Sequence, residues 1–155
     1  MQVTFLSYFL ASLIAYLGLL VGIILIRMAH EEQKPGKRYF ILLKKILFFA
    51  ILALPLCYFK INIIISLVLL SFVVALMLGN RLKLDKSYII YFLLGIFFYL
   101  GSRFIDLFAM EAVLIFLYGI PNASLMFSLK NKDYNELFIK NLPFFVPIAI
   151  LYIIF

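Results

Sequence analysis

A single cysteine, Cys57, stands among the 155 residues, which excludes a disulfide scaffold and any zinc site built on cysteine. Charge is scarce too: Asp, Glu, Lys and Arg make 14% of the chain, where a soluble domain carries about a quarter. There is too little polar surface here to face water. The 67% apolar content excludes intrinsic disorder by the same arithmetic.

Catalytic signatures are missing as well. The one histidine, His30, stands beside Glu31 and Glu32, with neither the spacing nor the ligand count of a zinc motif. It reads as part of a solvated loop. No Gly-rich phosphate loop, no Ser or Cys triad with histidine and no paired-Asp motif of lipid phosphotransferases is present. Gly101-Ser102 lacks the context of an intramembrane serine protease, and Cys57 has no second thiol for redox work. The expectation is a non-enzymatic protein without a cofactor.

What the chain does have is long apolar runs, reflected in a mean hydropathy of +1.18. A helix needs about 20 mostly apolar residues to cross about 30 Å of hydrocarbon. Residues 3–26 hold no charge, and no basic residue precedes them, so they read as a span and not a secretory signal. Further runs cover 40–59, 61–79, 87–102, 107–128 and 137–155. They are continuous, unlike the alternating segments of a β-barrel. The expected fold is all-α, one transmembrane domain over 1–155, a bundle of six helices.

Charge orients the bundle. Cytoplasmic connections carry excess Lys and Arg. With both termini outside, the cytoplasmic connections hold Arg27, Lys34, Lys37, Arg38, Lys44, Lys45, Arg81, Lys83, Lys86, Lys130, Lys132 and Lys140, which is 12 of the 14 basic residues. Only Lys60 and Arg103 fall outside. Lys44 and Lys45 lie within the second run and are expected to snorkel to the cytoplasmic interface, as is Lys140 in the last. That last run has only 14 residues after Asn141, about 21 Å of helix, so a re-entrant or interfacial final segment is the alternative. The net charge of +7 is accounted for by orientation and by anionic lipid headgroups, so lipids are the expected partners and nucleic acid is not.

Three hairpin starts share a Lys-x-Tyr pattern, at Lys37, Lys86 and Lys132, which interface anchors explain without internal duplication. Ala11, Ala15, Gly18 and Gly22 share one face of the first helix. Small residues at this spacing let two helix backbones approach closely in lipid. The partner is either another helix of the same chain, or a second copy or membrane protein subunit.

Chemistry is best sought in 102–128. Arg103 and Asp106, three residues apart at the outer boundary, can pair with each other. Glu111 is different, because it sits inside an apolar run where a charged carboxylate costs about 2.5–3.5 kcal/mol. Tyr118 and Asn122 follow it on one helical stripe. Gly119 and Pro121 are expected to break the helix beside them, as proline cannot donate to the carbonyl four residues back. A carboxylate beside a broken helix is how many transporters build an ion or substrate site. Glu111, Tyr118 and Asn122 form the candidate ligand, ion or proton site. The plainer reading is a structural hydrogen bond from Glu111 to Asn62, Ser66, Tyr91, Tyr99 or Arg103.

The stretch Glu31-Glu32-Gln33-Lys34-Pro35-Gly36-Lys37-Arg38-Tyr39-Phe40, after a Gly-containing helix, resembles a segment recurring in small uncharacterised multispanning membrane proteins of archaea. The resemblance covers about a tenth of the chain and implies a prokaryotic cell membrane, with no activity attached. Two functional expectations follow from the residues: a solute-handling component working through Glu111, or an assembly subunit of a larger membrane complex.

Overall fold

The computed structural model describes residues 4–28, 31, 33–78, 87–127 and 134–154. Every regular element among them is helical. In order they are α1 (Phe5–Met28), α2 (Gln33–Tyr58), α3 (Ile63–Leu78), α4 (Ser87–Gly101), α5 (Ile105–Phe127), α6 (Tyr134–Asn141) and α7 (Phe145–Ile154). A single 3₁₀ turn, Leu142–Phe144, joins α6 to α7 into one rod. Four stretches are long and apolar enough to cross a membrane: Phe5–Met28, Pro35–Tyr58, Ile105–Met126 and Leu137–Ile154. The apolar parts of α3 and α4, Ile63–Ala75 and Ser87–Gly101, are shorter. His30, Glu32, Arg81, Lys83, Lys86, Lys130 and Lys132, on which part of the charge argument rests, lie outside the described residues.

Two boundaries differ from expectation. Helix α2 begins at Gln33, about two turns before the apolar run at 40. Pro35 permits this because it falls in the first turn, where its missing N–H has no partner to lose. Helix α5 runs through Pro121 as one element, so the interruption expected at Gly119 and Pro121 is absent. The break in the helical path falls later, at Pro143 in the 3₁₀ turn.

Local chemistry sets the turns. Lys60 takes a left-handed backbone with φ of 50°. The amide of Ile61 then reaches the Leu56 carbonyl at 3.4 Å and that of Lys60 the Cys57 carbonyl at 3.2 Å, closing α2 with paired C-terminal bonds. Two residues later Asn62 Oδ1 accepts from the Ile64 amide at 2.9 Å and starts α3. The α4–α5 turn closes as the Phe104 amide donates to the Gly101 carbonyl at 3.0 Å.

Helix α5 is the centre of the bundle, packed by α1, α2 and α4. Its closest neighbour is α1. A Cβ on Gly22 would lie 2.7 Å from the Ile120 carbonyl oxygen and from the Ala123 Cβ. One on Gly119 would lie 2.6 Å from the Gly18 carbonyl carbon, and one on Gly18 would strike the Phe116 carbonyl. The small-residue face of α1 is thus occupied by α5 of the same chain, with Ala15 buried beside it and Ala11 half-buried.

Helix directions follow from paired contacts. Tyr8 meets Phe108 and Gly22 meets Ile120, so α1 and α5 are parallel. Phe48 meets Tyr118 while Tyr58 meets Phe104, so α2 is antiparallel to α5. Phe98 meets Phe108 and Asn122 meets Ser87, so α4 is antiparallel to α5 too. The last rod parallels α4, with Asn141 at Ser87 and Pro147 at Gly95. It opposes α1, with Phe138 at Tyr16 and Tyr152 at Tyr8. Helix α3 packs on α2 after a tight turn. Successive rods therefore alternate in direction throughout.

Polarity is distributed with apolar groups outside and several polar groups within. Large apolar side chains cover the outside, from Phe5, Leu6 and Ile14 on α1 to Ile63, Leu67 and Phe72 on α3. Ser12, Lys44, Ser87, Glu111, Asn122, Ser124 and Asn141 are buried.

Candidate functional site

Two interior serines are satisfied within their own helices. Ser12 Oγ donates to the Phe9 carbonyl at 2.7 Å and Ser124 Oγ to the Ile120 carbonyl at 2.9 Å, the back-bonding typical of serine in apolar helices. Tyr16 Oη donates across the bundle to the Phe138 carbonyl at 2.6 Å and ties α1 to α6.

The groups of the α5 stripe behave otherwise. Glu111 is fully buried, and neither carboxylate oxygen has a hydrogen-bond partner. Side chains on a helix lean toward its N-terminus, which aims this one at the α4–α5 turn. There it lies against Gly101, where a Cβ would collide with Oε2. Glycine at 101 is what leaves room for the carboxyl. Phe108, one turn before Glu111, packs on Phe98 at 4.9 Å, and Tyr8 stacks on Phe108 at 5.9 Å. The Tyr8 hydroxyl is also buried without a partner.

None of the expected structural partners reaches Glu111. Asn62 caps α3, Ser66 Oγ turns back toward the Ile61 carbonyl at 3.5 Å, and Tyr91 lies at the level of Tyr118. Arg103 and Asp106 are exposed at the turn.

Tyr118 and Asn122 form a separate group, since the seven residues from Glu111 to Tyr118 span about 10 Å of helix. Asn122 Nδ2 donates to Ser87 Oγ at 3.0 Å, and Ser87 Oγ donates to Asn141 Oδ1. Asn141 Nδ2 in turn donates to the Leu137 carbonyl at 2.8 Å. This chain ties α4, α5 and α6 at one level. Around it Tyr91 Oη, Tyr118 Oη and Asn122 Oδ1 are buried without partners. The Tyr91 and Tyr118 rings are 5.9 Å apart.

Lys44 completes this second group. Instead of snorkelling to an interface, it is buried with Nζ 5.8 Å from the centre of the Tyr118 ring. Position explains the change: α2 packs its 44–51 face on α5, so Lys44 points inward with Leu47, Phe48 and Ile51.

Sequence reasoning placed Glu111, Tyr118 and Asn122 on one face, and the structure keeps them there in two clusters. It missed Ser87, Asn141, Lys44 and Tyr8 as interior polar groups. Ser87 and Asn141 each stand at the end of an apolar run, where a polar residue looks like ordinary punctuation. Among the described residues no three His, Cys, Asp or Glu side chains converge as a metal site would require. Comparison with protein-family models, with curated proteins and with solved structures gave no match.

Proposed function

We propose that this chain is a multi-pass integral membrane protein of the cell membrane, with six spans and both termini outside, that handles a small solute or ion through Glu111. The observation that carries the reading is the fully buried carboxyl with both oxygens unpartnered. A polar group left unpaired in an apolar interior costs about 1–3 kcal/mol, more if charged, and persists where it has work to do. The side chain aims at the α4–α5 turn, beside Gly101. Helix directions support the sidedness, because alternation puts the described basic residues Arg27, Lys37 and Arg38 at one end of the bundle. The proposed partners are anionic lipid headgroups at that end.

The test is native mass spectrometry of gently extracted protein beside its Glu111→Gln variant. A bound small mass or ion that disappears in the variant supports the reading. A correctly folded wild type that carries none overturns it.

One feature favours the second reading, an assembly subunit. Helix α3 packs chiefly on α2, whereas α5 is packed by three helices. A stoichiometric protein partner, lost when Ile63, Leu67, Val68 and Phe72 become polar, would establish that role.

A further inference from the structure

Glu111, Ile115, Tyr118 and Asn122 succeed one another at intervals of four, three and four residues, so they line one stripe of α5. All four are fully buried. Helix α4 faces this stripe in antiparallel register: Gly101 opposite Glu111, Tyr91 opposite Tyr118 and Ser87 opposite Asn122. The same register sets Leu94, also fully buried, opposite Ile115. The interface is therefore layered. An outer polar station holds the two free oxygens of Glu111, and an inner one holds the free Tyr91 and Tyr118 hydroxyls and Asn122 Oδ1. Between them lies a purely aliphatic layer.

Resting on the solute reading above, we propose that the α4–α5 interface is a discontinuous proton path, closed in this conformation by Leu94 and Ile115. Among the described residues, six buried atoms lack partners, five of them on this interface, an unusual concentration where each is expensive. Carboxyl and phenol groups exchange protons through water, the Asn122 amide oxygen can accept a hydrogen bond from that water, and none of the six needs a metal to be satisfied. Glu111 Oε2 packs against Gly101, at the outer end of the stripe. An aliphatic layer one side chain thick is how narrow pores stay shut, by excluding water. One proton enters at a Glu111 oxygen and leaves from the inner station through water, and no other reactant is consumed.

The full chain is reconstituted into liposomes enclosing a pH-sensitive dye, with potassium and valinomycin clamping the voltage. Wild-type protein should relax an imposed pH step near the protein-free rate. Ile115→Ser, which wets the barrier, should speed relaxation by about tenfold or more. Adding Glu111→Gln to Ile115→Ser should return the rate to background. Leu94→Thr probes the same layer from α4 and stands in where Ile115→Ser does not fold. Background flux in a folded barrier variant overturns the proposal, as does a raised flux indifferent to Glu111→Gln. The mass measurement above reports bound solute and not flux, so failure of the solute reading is seen separately.

Discussion

At the scale of single residues, the decisive fact is that Glu111 is buried and unpaired while its neighbours on α5 are not alike. Ser124 and Asn122 use their donors; Glu111 uses neither oxygen. A structural carboxyl would stabilise the fold and a working one would cost it. Glu111→Met, similar in volume, is therefore expected to raise stability by about 1–3 kcal/mol, read from thermal unfolding in detergent. A fall of that size would show the carboxyl to be a structural tie. Ser87→Ala should move stability the other way, by about 0.5–1.5 kcal/mol, because one oxygen serves both Asn122 and Asn141. Glu111 was legible in the sequence because a carboxylate in an apolar run is conspicuous. Ser87 was not, since its importance comes from two partners 35 and 54 residues away.

At the scale of helices, close approach between α1 and α5 rests on Gly18, Gly22 and Gly119. In lipid no hydrophobic effect draws helices together, so packing depends on backbones that can touch. Gly18→Leu or Gly119→Leu should lower stability by about 1–3 kcal/mol or more through overpacking. Light scattering in detergent should show the oligomeric state unchanged, because the seam lies within the chain; a lost dimer would contradict this. Helix α3 provides the contrast. Phe72 is exposed, and Phe72→Ala should change stability by less than about 0.5 kcal/mol. Phe98→Ala, at the fully buried junction with Phe108 and Phe144, should cost about 3–5 kcal/mol in a parallel unfolding series. The small-residue spacing was plain in the sequence. Its partner was not, because spacing describes one surface and says nothing of what lies against it.

At the scale of the whole molecule, alternating helix directions and the exposed apolar exterior belong together. Cys57, exposed near the end of α2, offers a direct check of sidedness. A membrane-impermeant thiol reagent added to intact cells should label it, and reagent confined to the cytosolic side of inverted vesicles should not. The reverse pattern would invert the proposed orientation. Proline shows why boundaries were harder to read than spans. Pro121 leaves α5 continuous, while the 3₁₀ turn around Pro143 divides the last rod. A missing N–H is one lost bond in either place, and the surrounding packing decides whether the helix bends around it.

Composition and the length of the apolar runs were enough to specify helices and the number of apolar rods, since both depend on local segments of the chain. The partition of the α5 stripe into two polar clusters was settled only by the tertiary structure. So was the inward turn of Lys44. Both depend on which residues of α2 and α4 come to face α5, a relation between distant parts of the chain that no local pattern encodes.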